Sequence, residues 1–229
     1  SGLELAVHKT EAVLFSRKRR PALPKLTLGG FEVPLVKSLR YLGVQLDRRL
    51  CFREHIELAA AKASVVAQQL GRIMPNVGGP KSSRRRLLHE VVHSTLLYGA
   101  PIWAKSLEVE HYRKKMASVQ RRSALRVISG YRTISEDAAL VLSSSPPIHL
   151  LARERQERRE RKRDGLEDLS RDAIYSQWQQ RWDTAVGGRW TRRLISDLRT
   201  WCQRKHGGLS YRLTQLLSGH GCFGNFLQR

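Results

Sequence analysis

The sequence predicts a mostly α protein with a small β edge at its N-terminal end. Two patterns carry that prediction. Before Asp47 the apolar residues sit in short runs broken by glycine and proline; after it they recur at the helical period almost to the end of the chain. A third observation concerns partners rather than fold. The 229 residues hold 42 Lys and Arg against 20 Asp and Glu, a net charge of +22, and such a field attracts polyanions.

The β edge reads in order. Leu5, Val7, Val13, Leu14 and Phe15 flank a polar His-Lys-Thr-Glu segment, and the basic break SRKRRPALP follows. KLTL and FEVPLV surround Gly29-Gly30, a hairpin signal. RYLGVQLD reads as one further strand with Leu42, Val44 and Leu46 alternating. Residues 1–50 thus look like the rim of a larger sheet. Alone, such a rim leaves unpaired strand edges and should be weakly stable.

The helices follow. Ile56, Ala59, Ala60, Ala63, Ala67 and Leu70 make one helix face. After the loop NVGGPKS, Leu87, Leu88, Val91, Leu96, Ile102 and Trp103 line a second helix, which ends around Tyr98-Gly99-Ala100-Pro101. Met116, Val119, Ser123 and Val127 line a third; Arg113, Lys114, Lys115, Arg121, Arg122 and Arg126 cover its other faces. Ser135 followed by acidic residues opens a short fourth helix in the manner of a capping box. SSSPPIH reads as a boundary. Beyond it, RERQERRERKR (153–163) reads as a solvated helix laced with i,i+3 and i,i+4 ion pairs, the alternative being a direct nucleic-acid contact. Trp178 with Trp182, then Trp190, Leu194, Leu198 and Trp201, follow the helical period and read as core.

Several classes are disfavoured. No apolar run is long enough for a transmembrane helix, and SGLELAVHKTE is not a signal peptide. The chain does not start with Met, so it is expected to be a fragment or a processed product. Cys51, Cys202 and Cys222 are too few and scattered for a disulfide framework. The charge points instead to nucleic acid, bound through phosphates and therefore sensitive to salt.

Three patterns resemble catalytic or metal motifs. His89-Glu90-Val91-Val92-His93 spells a zinc-hydrolase helix, yet Leu96 and Gly99 stand where a metzincin extension needs Gly and His. Gly219-x-Gly221-x-x-Gly224 spells a dinucleotide fingerprint but follows a helix rather than a strand. Cys202, His206, His220 and Cys222 form a possible zinc set with no standard spacing. No P-loop, nucleophile elbow, Cys-x-x-Cys or Asp-Asp pair occurs.

Several segments taken together resemble the reverse transcriptases of non-LTR retrotransposons of the arthropod ribosomal-DNA-inserting type. GLELAVHKTEAVLF resembles the end of the palm after the catalytic strand, known as motif D. SLRYLGVQLDRRLCFREHI resembles the primer grip and the start of the thumb. STLLYGAPIW and VQRRSALRVISGYRTISEDAALVLSSSPPIHLL resemble thumb helices. HGGLSYRLTQLLSGHGCFGNFL resembles the segment leading into a zinc knuckle.

The resemblance implies a partial palm edge at 1–50, a helical thumb at 51–145 and a helical C-terminal region at 146–229. It implies a general-acid role for Lys9, which matches the motif D lysine, whereas His8 departs from the common Asn. It implies a primer grip at Tyr41, Leu42 and Gly43. Phosphate contacts are expected from Arg84, Arg85, Arg86, Lys114, Lys115, Arg121, Arg122 and Arg126. The partners implied are an RNA template and a DNA primer, with no membrane. Mg²⁺ and dNTPs are implied only for the full-length polymerase, whose catalytic aspartates are expected upstream, so this chain alone should not polymerise. The alternative is a non-enzymatic basic RNA- or DNA-binding module derived from such an element. A nuclear site of action, with a cytoplasmic ribonucleoprotein stage, is the expected location; SRKRRP could serve import.

Overall fold

A computed structural model describes residues 6, 9–19, 21–167, 170–205 and 207–221. The chain is mostly helical with two small antiparallel sheets, and it divides into two compact units, Ser1–Leu58 and Ala59–Arg229.

The first unit holds the β structure. Strands β1 (Thr27–Leu28) and β2 (Phe31–Glu32) pair across Gly29-Gly30, as the turn residues predict. Strands β3 (Ser38–Tyr41) and β4 (Val44–Asp47) also pair antiparallel. RYLGVQLD is therefore a hairpin and not the single strand that its alternation suggests. The cause is the turn: Leu42 and Gly43 both have positive φ, 45° and 82°, the combination a two-residue primed turn requires. Asp47 then ends β4 and organises the next turn. Its carboxylate accepts the backbone N–H groups of Arg49 at 3.0 Å, Cys51 at 3.2 Å and Phe52 at 2.6 Å. Burial pushes this carboxyl up, but those hydrogen bonds outweigh it and hold Asp47 below the ordinary carboxylate range. Val33, Val44, Phe52 and Ile56 are the buried apolar residues of the unit. Ile56 belongs to helix α1 (Arg53–Arg72), which runs on into the second unit.

The second unit is built around two helices of opposite character. Helix α4 (Glu110–Val127) is basic outside and apolar inside, burying Met116, Val119, Ala124 and Val127. Helix α5 (Glu136–Ser143) is apolar on every side and is enclosed accordingly. Ser135 caps it by accepting the N–H of Ala138. The reciprocal half of a capping box is absent, because Ala138 occupies the third position. Glu136 and Asp137 instead hold Arg181, each at 3.0 Å.

Around these lie α2 (Ser82–Leu96), α3 (Ala100–Trp103), a 3₁₀ turn (Ala104–Glu108) and the charged α6 (Ile148–Arg163). α4 packs against α2, α5 and α6. Four shorter helices complete the unit: α7 (Asp172–Thr184), α8 (Arg189–Leu194), α9 (Leu198–Gln203) and α10 (Tyr211–Ser218). Trp178 and Trp182 enter the core, as their spacing predicts, whereas Trp190 is partly exposed. Trp182 Nε1 donates to the Ile195 carbonyl at 2.8 Å and Trp201 Nε1 to the Val141 carbonyl at 2.7 Å. Gly188 is required where it stands. Its φ is 72°, and a Cβ there would approach Ala138 and Trp182 to about the limit of contact.

Helix α2 departs from the sequence reading. It stops at Leu96, with Pro101 opening α3. Its buried face is Arg85, His89, Val92, His93 and Leu96, while Leu87 and Val91 are exposed. Polar residues occupy the inner face because each finds a specific partner there. Arg85 is the clearest case. Its guanidinium donates to the carbonyls of Pro80, Met74, Pro75 and Arg126, closing the ends of α1 and α4 onto α2. Arg85→Met should cost about 2–4 kcal/mol of stability, since it strands buried carbonyls. Arg84→Ala, at an exposed position, should cost less than about 0.5 kcal/mol. Urea unfolding of the two variants checks this; equal losses would refute the bracing role.

Candidate nucleic-acid interface

The expected phosphate contacts separate once the helices are in place. Arg121, Arg122 and Arg126 come together on the last turns of α4. They line a groove of 680 Å³ whose other wall is α1, at Ser64, Gln68 and Gly71. Arg122 Nη2 donates to Ser64 Oγ at 2.9 Å. A Cβ on Gly71 would sit 3.5 Å from Arg126 Nε, an ordinary contact, so that arginine lies against α1 at this point. Arg121 donates to the carbonyl of Ile134 at 2.7 Å and to that of Arg132 at 2.5 Å. It thereby fixes the turn that brings Arg132 to the groove. Asn76 also lines the groove, and its buried Oδ1 has no hydrogen-bond partner.

The other basic residues lie elsewhere. Arg85 is buried and spent on carbonyls, so it is withdrawn from the phosphate set; a side chain without a free face cannot reach a backbone in solution. Arg84 is exposed on α2, and Arg86 is half-buried. Lys114 and Lys115 are exposed on the first half of α4, where Lys114 pairs with Glu110 at 2.8 Å. Sequence reasoning missed Arg132, Ser64, Gln68 and Asn76, which reach the groove from separate elements and share no motif. The one available hint was that Arg132 lies just beyond the helix-ending Gly130.

In the first unit, Lys9 is exposed in a short turn where its N–H donates to the Ala6 carbonyl at 3.0 Å. His8 lies outside the described residues. Tyr41, Leu42 and Gly43 form the tip of the β3–β4 hairpin, with Tyr41 and Leu42 exposed.

The metal motifs fare differently. His89 and His93 do lie on one helix face, with ring centroids 4.0 Å apart. Both are buried, and their ring nitrogens are engaged. His89 Nδ1 meets Ser123 Oγ at 2.7 Å and its Nε2 meets Ser145 Oγ at 3.1 Å. His93 Nε2 faces the Gln120 amide at 3.2 Å, and its Nδ1 faces Glu90 at 3.5 Å. This is a polar seam between helices. In the second candidate set, Cys202 is partly buried and His220 Nδ1 meets the Ser218 carbonyl at 2.8 Å. His206 and Cys222 lie outside the described residues, as does Gly224 of the glycine pattern. Among the described residues no three His, Cys, Asp or Glu converge so as to hold a metal ion. Two-metal polymerase chemistry needs convergent carboxylates, so the described residues do not fit a Mg²⁺ pair.

A buried and a half-buried histidine, His89 and His149, give the protein an acid limit. Burial, then the neighbouring His93, lowers the His89 value well below that of a free imidazole. Burial, then Arg181 and Arg113, lowers His149 to about 4. An unfolded chain takes up protons near the free value of about 6.5 while the folded one does not, so stability falls as pH drops below that point. The expected slope is at most about 1.4 kcal/mol per pH unit for each histidine. Urea midpoints between pH 7.5 and 5 test it: His89→Gln with His149→Gln should flatten the slope. An unchanged slope would remove these groups as its cause.

No family model matches the chain, and no solved structure matches it. Known proteins do. The chain is similar to the putative 115 kDa protein in type-1 retrotransposable element R1DM of Drosophila melanogaster, 30% identical across 97% of this chain and 24% of that protein. It is similar to the retrovirus-related Pol polyprotein from type-1 retrotransposable element R1 2 of Nasonia vitripennis, 25% identical over 100% of this chain and 62% of that one. The probable RNA-directed DNA polymerase from transposon X-element of Drosophila melanogaster is 28% identical over 53% of this chain and 13% of that protein. These relatives are proteins of non-LTR retrotransposons. Within that class the chain is homologous, over its whole length, to Pol polyproteins of R1 elements. It spans about a quarter of the Drosophila R1DM protein and under two thirds of the Nasonia one.

Proposed function

We propose that this chain is the duplex-gripping part of an RNA-directed DNA polymerase that extends a DNA primer on an RNA template. The groove between α1 and α4 supports this reading most directly. Arg122 and Arg126 stand about one helical turn apart on its wall, about 6 Å along the axis. Arg132 adds a cation from the turn. Guanidinium groups suit phosphate oxygens because their planar fork donates two parallel hydrogen bonds. A hybrid duplex is A-like and is recognised by shape and backbone, so little sequence preference is expected.

In this reading residues 1–50 are the palm edge, 51–145 the thumb and 146–229 a helical region leading towards a zinc knuckle. Tyr41 and Leu42 at the hairpin tip, with Gly43 allowing close backbone approach, hold the primer end. Lys9 donates a proton to the departing pyrophosphate. The carboxylates that hold Mg²⁺ and the rest of the dNTP site belong to other parts of the polymerase, and the chain acts in the nucleus.

The test is binding of the whole chain to an RNA–DNA hybrid, double-stranded DNA and single-stranded RNA across a salt series. The hybrid should bind tightest, with affinity falling steeply as salt rises. Arg122→Gln with Arg126→Gln should lower hybrid affinity roughly tenfold or more and reduce the salt slope by about two. Wild-type affinity and slope in that variant would overturn the groove. Equal binding to all three nucleic acids would leave a basic binding module in place of a polymerase thumb.

A further inference from the structure

A second group of basic residues lies in the Ala59–Arg229 unit, and none of them lines the α1–α4 groove. Ser144 ends α5 in the left-handed conformation, with φ 57°. Two arginines from distant parts of the chain converge on its hydroxyl. Arg86 Nη2 comes from α2 and Arg204 Nη1 from the residue after α9, each at 3.4 Å. The Arg204 guanidinium lies flat on Trp201, 3.6 Å from the ring centroid, and donates to the Trp201 carbonyl. Trp201 is itself fixed by its bond to the Val141 carbonyl. The Arg204 side of the clamp is therefore held before anything binds.

Its charge is not balanced. Among the described residues neither arginine has a carboxylate partner, and the buried Arg86 Nε has no hydrogen-bond partner. The nearby Cys202 does not supply an anion. Burial pushes its thiol up, against the pull of Ser144, Arg204 and Arg86, so it stays neutral at pH 7. Two half-buried cations facing one oxygen repel each other, and an unpaired buried donor costs free energy. An anion with several acceptor oxygens relieves both.

We propose that Arg86, Arg204 and Ser144 form a clamp for a backbone phosphate of the bound nucleic acid, separate from the groove. The proposal rests on the nucleic-acid reading above. A phosphodiester matches the forked donors of two guanidiniums, and the Ser144 hydroxyl, which lies beside the neutral Cys202 thiol, can turn to donate to one of its oxygens. The strand touching this clamp meets residues that do not line the α4 groove, so the clamp adds a phosphate contact to those of the groove.

The experiment uses the whole chain and two probes. Inorganic phosphate, followed by tryptophan fluorescence, reports on the clamp because Arg204 stacks on Trp201. The RNA–DNA hybrid, followed across a salt series, reports on nucleic acid. Arg86→Gln and Arg204→Gln should each abolish a saturable phosphate response, lower hybrid affinity about five- to tenfold and reduce the salt slope by about one. Arg204→Lys should restore the slope but only part of the affinity, since charge returns without the fork. That pattern separates a phosphate contact from a fold defect, which would move affinity without changing the slope. Wild-type hybrid affinity and slope in both Gln variants would overturn the proposal while the groove stands. A phosphate response with unchanged hybrid binding would assign the clamp to free phosphate and overturn it too. If the wild-type chain does not bind the hybrid, the groove reading falls together with this one.

Discussion

One buried amide organises the helical unit. Gln120 faces inward from the middle of α4 and is fully enclosed. Its Oε1 accepts the first N–H of α6, from Ile148, at 2.8 Å, and its Nε2 donates to the Pro146 carbonyl at 2.8 Å. The same amide nitrogen reaches Ser145 Oγ and His93 Nε2, both at 3.2 Å. One side chain thus ties α4 to α2, to the corner after α5 and to the start of α6. Such a network specifies a single packing because partial satisfaction is costly at low dielectric. It also fixes the rotation of α4 about its axis. With Gln120 inward, Arg122 and Arg126 must face α1, and the groove follows.

This constraint explains what the two histidines of the HEVVH pattern do in the fold. The two imidazoles share a face as the spacing requires, but the space between α2 and α4 is filled by hydroxyls and an amide. Their nitrogens close a seam. The same partners let α2 bury its polar side and expose Leu87 and Val91, against its apolar pattern.

Much of this was legible in the sequence, though unevenly. The β edge, the hairpin at Gly29-Gly30 and the buried stripe of α4 follow from periodicity and turn chemistry, which are local. The change of structure near Asp47 was visible for the same reason. What periodicity could not show was which polar residues would be inside. His89, Arg85 and Gln120 are buried through partners 34, 41 and 28 residues away in the chain, and no local pattern encodes such pairings. RYLGVQLD misled because a hairpin with a two-residue turn keeps the same alternation on either side of it. At the candidate site, the α4 arginines were visible as a run, whereas Arg132 and Asn76 reach the groove only through tertiary folding.

The charge also divides in a way that composition conceals. A net +22 suggests a surface saturated with phosphate contacts, yet many arginines bind the chain's own carbonyls. Arg85 closes the end of α4 at the Arg126 carbonyl, and Arg155 donates to the Leu97 carbonyl just past α2, at 3.0 Å. Arg192 donates to the carbonyls of Trp182 and Ala185 at the end of α7. Helix C-termini carry unpaired carbonyls and the negative end of the dipole, so a guanidinium is a natural cap there. Short helices joined by tight corners create many such ends, and an arginine-rich chain can close them without glycine. The groove on α4 and the pair at Ser144 are places where the geometry gathers guanidiniums without acidic partners among the described residues; in the proposed reading these few side chains, and not the total charge, set the affinity for nucleic acid.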